Sequence, residues 1–297
     1  MRPDKTRAVA TAIVTDSTSY LPPELLAEHD VEQVSLYVTL DGEQRTEAEI
    51  EPASYDEFYA RLRASDQGAT TSQPSIGDFT SVYEPLLSAD REVVSLHISS
   101  GISRTYEAAR PARRQLIDNG AGGERIEGWD SRSSAGGLGM MVLVAARAAA
   151  AGQSAAEIVA AVERARESLK LWFAVDTLEY LRKGGRIGAA RALLGSALQV
   201  KPILTLGEEI SPVERVRTRR RAFERMVEFA RELERDGAGA WVVQHIQDPD
   251  RARHLVDECR QIFDSEPVFV SEIGPVLGAH TGPGLLGVGG LDAELLR

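Results

Sequence analysis

From Ala8 to Trp129 the chain alternates short β-branched apolar runs with helix-compatible stretches, and this alternation restricts its fold more than any other feature. Ala8–Val14, Gln33–Thr39, Val93–Ile98 and Arg125–Trp129 read as strands. Between them, helices are predicted from Pro22-Pro23 to Glu28, around Phe58, Tyr59 and Leu62, from Phe79 to Leu87 and from Ser103 to Ile117. Such an order predicts a mostly parallel sheet flanked by helices, with ligands gathered where strands end and loops converge. Three hydroxyl-rich loops follow predicted strands: Asp16–Ser19, Ser99–Ser103 and Asp130–Ser134.

The second of these loops carries the most chemistry. The run Val93, Val94, Leu96, Ile98 stops at Ser99-Ser100-Gly101-Ile102-Ser103, just ahead of a helix. Backbone N–H groups, a positive helix end and several hydroxyls then share one small volume, which suits an anion. Phosphate cradles usually add a lysine, as in Gly-Lys-Ser/Thr, and none is present here. A carboxylate is the better match. Capping competes with this reading, since serine is a preferred N-cap.

Asp41-Gly42 signals a hairpin, and Ser54 with Glu57, like Ser154 with Glu157, has the spacing of a capping box. Ala69–Ser75 reads as a loop. Ser134–Ala151 is a small-residue helix whose Gly136, Gly137 and Gly139 do not fit Gly-x-Gly-x-x-Gly, so close helix packing is favoured over a nucleotide loop. The second half reads as strand Leu171–Val175, helix Thr177–Lys183, helix Ala190–Leu198 and strands Val200–Leu206 and Glu209–Val216. An amphipathic helix, strand Ala240–Ile246, helix Arg251–Phe263 and strand Val268–Ile273 follow. Gly274–Gly284 reads as a rigid loop feeding a last strand, Leu285–Gly289. The expectation is a two-domain α/β chain: residues 1–165 with a mostly parallel sheet, residues 166–297 with a mixed sheet, and a ligand site between them.

With 297 residues, two domains fit the size at which single cores stop growing, roughly 250–300 residues. Aromatic residues make up only 6%, so the cores must be aliphatic and alanine-rich. A net charge of −11 works against nucleic acid and anionic membrane surfaces. The cluster Arg215, Arg217, Arg219, Arg220 and Arg221 is flanked by Glu214 and Glu224 and reads as a solvated surface. Cys259 is the only cysteine, which leaves no disulfide framework or cysteine zinc site to build. No apolar run reaches the ~20 residues of a membrane span, and a cytoplasmic location is expected.

Taken together and in order, six stretches resemble the DegV family over nearly the whole chain. They are Val14–Thr18, Thr71-Ser72-Gln73-Pro74-Ser75, His97–Ser103, Asp176–Leu181 with Gly184-Gly185-Arg186-Ile187, Lys201-Pro202-Ile203-Leu204, and Gly278–Gly284. The resemblance implies a carrier, not an enzyme, that buries a long-chain fatty acid and holds its carboxylate for a partner fatty acid kinase, with no cofactor. It maps carboxylate binding onto Thr71 and Ser103, and matches His280 and Arg186. Three positions depart from the family pattern: Arg104 replaces a usual glycine, Gly188 a common serine, and Glu47-Ala48-Glu49-Ile50 a typical Asp-Gly-Val-Asp-Ile. Arg104 has three open roles: reaching the head group, guarding the pocket mouth or facing solvent.

The residues also carry plainer readings. Ser75 reads as a helix cap, Ser99 and Ser100 as partners of backbone groups, and His97 as a satisfied core histidine. Asp16 and Asp130 read as loop-orienting carboxylates, Gly184-Gly185 as a helix end, and His29, His245 and His254 as incidental. The competing class is a serine-dependent acyl hydrolase using Ser103, His280 and Asp16 or Asp130, although no Gly-x-Ser-x-Gly elbow is present. A DNA-binding regulator is disfavoured by charge.

Overall fold

The computed structural model describes residues 10–194 and 200–297. The chain begins with β1 (Thr11–Asp16), α1 (Pro23–Glu28), β2 (Val31–Val34), β3 (Tyr37–Leu40), β4 (Glu43–Thr46), α2 (Tyr55–Ala64), β5 (Ala69–Ser72) and α3 (Ile76–Ser88). It continues through β6 (Glu92–His97), α4 (Thr105–Asp118), β7 (Ile126–Asp130), α5 (Ala135–Ala150) and α6 (Ala155–Ser168). Next come β8 (Lys170–Ala174), α7 (Glu179–Lys183), β9 (Lys201–Leu206), β10 (Ile210–Val216) and α8 (Arg219–Arg235). Last are β11 (Ala238–His245), α9 (Pro249–Phe263), β12 (Phe269–Glu272), α10 (Pro275–Thr281) and β13 (Leu286–Asp292).

The fold is α/β, as expected. One sheet has the order β2-β1-β6-β7 with every pair parallel. A second has the order β10-β9-β8-β13-β11-β12 and is mixed: β11 and β12 run parallel, the other described pairs antiparallel. Between the sheets lies α5, buried along almost its whole length. Its Leu138, Met141 and Val142 pack with Leu96 of β6 on one side and Val242 of β11 on the other. A helix that is apolar all round is a buried helix. Glycine permits its close approach: a Cβ on Gly139 would lie 2.8 Å from Phe269 and 3.0 Å from the Ser19 carbonyl.

Several boundaries differ from the sequence reading, each for a local reason. Gln33–Thr39 is not one strand. The chain leaves the parallel sheet after Val34, the Leu36 N–H donates to Ser17 Oγ, and β3 joins a third, antiparallel sheet, β4-β3-β5. The segment read as a loop at Ala69–Ser72 is β5, held by pairing with β3 (Val38 opposite Thr71) rather than by any apolar pattern of its own. The Asp41-Gly42 hairpin forms as expected, with both residues at positive φ. Ser54 does not cap α2, because Pro52–Ser54 is already a 3-10 turn running into the helix; Ser154 and Ser75 do close capping boxes, with Glu157 and Asp78. The closing Gly/Pro stretch is not a loop throughout: Pro275 opens α10 and Gly282, at φ +74°, ends it. Gly188–Leu193 is a 3-10 helix that ends at Leu194, and residues 195–198 of the helix read at Ala190–Leu198 lie outside the described residues, as do Ala8 and Val9 of the first predicted strand.

Candidate functional site

A cavity of about 960 Å3, its open mouth included, lies between the two larger sheets. Ligand pockets commonly have mostly apolar walls and few polar groups. Here the walls are aliphatic, with Ile98, Leu181, Val242, Val276 and Leu285 among them. Thr71, Ser103, Arg186 and His280, the four residues singled out from the sequence, all line it.

Each arrives by a different local device. Thr71 stands on β5 through the register just described. The loop after β6 is a tight turn in which the Ile102 and Ser103 N–H groups donate to the Ser99 carbonyl at 3.1 and 3.0 Å. It presses on the β9–β10 turn so closely that a side chain at Gly101 would overlap the Glu208 carbonyl. Ser99 donates to Gly207 O at 3.3 Å, and the Ser100 N–H donates to Asp130 at 3.0 Å. Ser99 serves the backbone, as its plainer reading held, whereas the Ser100 hydroxyl donates to the Asp130 carboxylate instead. Ser103 is left at the cavity wall, where its Oγ pairs with Thr105 Oγ1 at 2.9 Å and accepts from the Thr105 N–H at 3.3 Å.

Arg186 follows the end of α7. Gly185, at φ +71°, and Arg186 direct their N–H groups back to Arg182 O and Leu181 O, a glycine-terminated helix end. The guanidinium then donates to Ile102 O at 3.3 Å and Gly184 O at 2.7 Å, joining the end of α7 to the serine loop. His280 sits in the last turn of α10, about nine-tenths buried. Its Nε2 lies 2.7 Å from Thr71 Oγ1, while Nδ1 has no partner among the described residues and faces Gly184, where any side chain would collide with it. Burial, and then the Arg186 charge, push His280 down to about 4, so the ring is neutral at pH 7.

The other candidates are placed elsewhere. Arg104 is exposed and does not line the cavity, although its neighbour Ser103 does. Asp16 accepts from the Thr18 N–H at 3.0 Å and the Ile98 N–H at 2.8 Å, and faces His97 at 3.2 Å. His97 continues to Ser95 at 2.8 Å and Ser95 to Tyr83 at 2.8 Å, all fully buried. This is a structural network, as the core reading of His97 held. The hydrolase arrangement is not assembled: Ser103 pairs with Thr105, His280 with Thr71, Asp16 with His97 and Asp130 with Ser100. Such a triad requires the serine and histidine to meet. Among the described residues, no group of three or more His, Cys, Asp or Glu side chains is placed to hold a metal, and no helix is long and apolar enough to cross a membrane.

One feature of the site had no signal in the sequence. Glu47 is 5% exposed, its Oε1 accepts from Tyr20 OH at 2.6 Å and from the Val276 N–H at 2.9 Å, and its Oε2 is unpartnered among the described residues. Tyr59 OH donates to Ile273 O and Gly274 O at 3.0 and 3.1 Å. These side chains grip the corner from which α10 carries His280 to the cavity. Glu47 belongs to the stretch that departs from the family pattern.

The site is thus an aliphatic cavity between a parallel and a mixed sheet, with hydroxyls, a cation and a neutral imidazole among its lining groups. A family model described as an uncharacterised protein of the DegV family matches residues 10–292, and the chain belongs to that family. A DegV domain-containing protein of Streptomyces coelicolor is 40% identical over 281 residues, covering 93% of this chain and 96% of that one. The crystal structure of DegV from Bacillus subtilis, described as a fatty acid binding protein, is similar at 32% identity and TM-score 0.84, over 96% of this chain and 100% of that one. A stearic acid-binding protein from Eubacterium ventriosum is similar at 25% identity and TM-score 0.86, over 95% and 98%.

Proposed function

We propose that this chain binds a long-chain fatty acid, acyl chain in the aliphatic cavity and carboxylate at Thr71, Ser103, Arg186 and His280, and presents it to a fatty acid kinase. The observation that carries the reading is one apolar cavity ending in those four side chains, in a family with fatty-acid-binding relatives. Each methylene buried contributes about 0.8 kcal/mol and each hydrogen bond about 1 kcal/mol net, so the acyl chain supplies affinity and the polar end supplies orientation.

The histidine prepares the threonine for this role. With Nδ1 unpartnered against Gly184, a ring proton placed on Nε2 donates to Thr71 Oγ1. Thr71 then has its own proton free for the carboxylate. Arg186 supplies the positive charge that strengthens such bonds. A polar cleft containing Arg63 and Lys183 shares Thr71 and Arg186 with the cavity, so the carboxyl end is the one a kinase would reach. On this reading the ligand lies between residues 1–165 and 166–297, the protein itself has no catalytic residue or cofactor, and it works in the cytoplasm.

Protein purified from a bacterial host is expected to carry close to one fatty acid per chain, found by mass spectrometry of the solvent extract. ATP with a fatty acid kinase should convert that acid to its acyl phosphate, and ATP with this protein alone should not. An extract free of lipid would sink the carrier reading; acyl-ester turnover abolished by Ser103→Ala would replace it with a hydrolase.

A further inference from the structure

Resting on the fatty-acid reading, we propose that Gly287 and Gly289 form the floor of the acyl channel and set the longest chain it accepts. β13 is an inner strand of the mixed sheet, with side chains alternating between its two faces. Leu286 and Val288 turn toward α8 and α9, packing in one cluster with Met226 and Leu255. Gly287 and Gly289 line the cavity on the other face. The register places Phe173 and Gln244 beside Gly287, and Leu171 and Val242 beside Gly289; all four line the cavity too. The face therefore holds a trough one strand wide, walled by side chains and floored by backbone.

Glycine inside a strand weakens it and often marks a close approach by another group. Gly289 has a packing reason as well, since a Cβ there would stand 2.9 Å from that of Leu171. At Gly287 a Cβ would stand 3.3 Å from Phe173 Cβ and from the Trp172 carbonyl, a looser fit than at Gly289 but one in which these neighbours must give by a few tenths of an ångström. The polar end is marked independently by His280, deeply buried with an unpartnered Nδ1. Leu285 adjoins that end, and four strand residues at about 3.4 Å each put Gly289 about 14 Å further along. There the first turn of α5 closes the trough: a Cβ on Gly136 would meet Val242 at 2.8 Å, and one on Gly137 would meet Leu171 at 2.9 Å. Gly287 and Gly289 are about 7 Å apart, roughly the reach of five or six extended methylenes. The first lies under every acyl chain and the second only under long ones.

The test titrates delipidated wild type, Gly287→Ala, Gly289→Ala and Val242→Phe with dodecanoic, tetradecanoic, hexadecanoic and octadecanoic acids, after circular dichroism has established that each is folded. Val242→Phe enlarges the wall residue beside Gly289 on β11, on the side of β13 away from Leu171, so it decides the matter if Gly289→Ala fails to fold. Gly289→Ala and Val242→Phe should lose about tenfold or more for the two longer acids, a difference of roughly 1.4 kcal/mol, while dodecanoic acid binds as before. Gly287→Ala should weaken all four. Wild-type chain-length preference in folded Gly289→Ala or Val242→Phe would overturn the proposal while leaving fatty-acid binding intact; failure of the wild type to bind any of the four would overturn both.

Discussion

Glu47→Gln is expected to stabilise the protein at pH 8 by about 3 kcal/mol and to leave its stability at pH 4 unchanged. Burial pushes the Glu47 carboxyl up to about 7, against bonds from Tyr20 and the Val276 N–H that favour the charged form. In the unfolded chain the same group ionises near its ordinary value of 4.5. The folded state therefore holds this proton more tightly, and the stability linked to it is fully present below pH 4.5 and lost as pH rises to about 7. Glutamine keeps an oxygen for Tyr20 and Val276, carries no charge, and resembles the protonated acid in leaving one buried polar atom unpartnered. His280 acts in the opposite direction, because its depressed pKa makes acid destabilising between about 6.5 and 4, but that effect is common to both proteins and cancels in the comparison. Urea unfolding at pH 4, 6 and 8 measures the difference directly. Equal stabilities throughout would mean that Glu47 is solvated or neutralised by a group other than those facing it.

Much of the fold was legible because its signals are local. The strand at Val93–Ile98, the Asp41-Gly42 turn, the capping of α3 by Ser75 and of α6 by Ser154, and the small-residue packing of α5 need only neighbours in sequence. What failed depends on distant partners. Thr70, Thr71 and Ser72 have no strand pattern and form β5 because β3 offers an edge; Leu36 changes sheets because Ser17 receives its N–H. The proline and glycines around α10 read as a loop, although Pro275 and Gly282 bound a helix. The site divides in the same way. Thr71, Ser103, Arg186 and His280 stood out through motif resemblance. Glu47 did not, because a carboxylate in a polar stretch reads as exposed until Tyr20, Tyr59 and the start of α10 enclose it. The glycines of β13 did not either: their open face exists only once β8 and β11 flank them.

If Thr71 and Ser103 both donate to one carboxylate, each alanine variant should weaken fatty acid binding by about 1–3 kcal/mol, roughly five- to two-hundredfold, with little loss of fold stability for Ser103→Ala. Thr71→Ala should be the more damaging. It removes a donor to the ligand and also leaves His280 Nε2 unpartnered, whereas Ser103 Oγ is shared with Thr105 and the loop can compensate. The effects should not add. Once one hydroxyl is lost the carboxylate can shift toward the other or toward Arg186, so a double-mutant cycle should show coupling of about 0.5 kcal/mol or more. A fatty acid methyl ester should respond far less to either change, because without the charge these hydrogen bonds lose about half their strength. Calorimetric titration of the four proteins with acid and ester gives every leg of the cycle. Unchanged affinity of both variants for both ligands would make these hydroxyls structural caps and move the carboxylate site elsewhere.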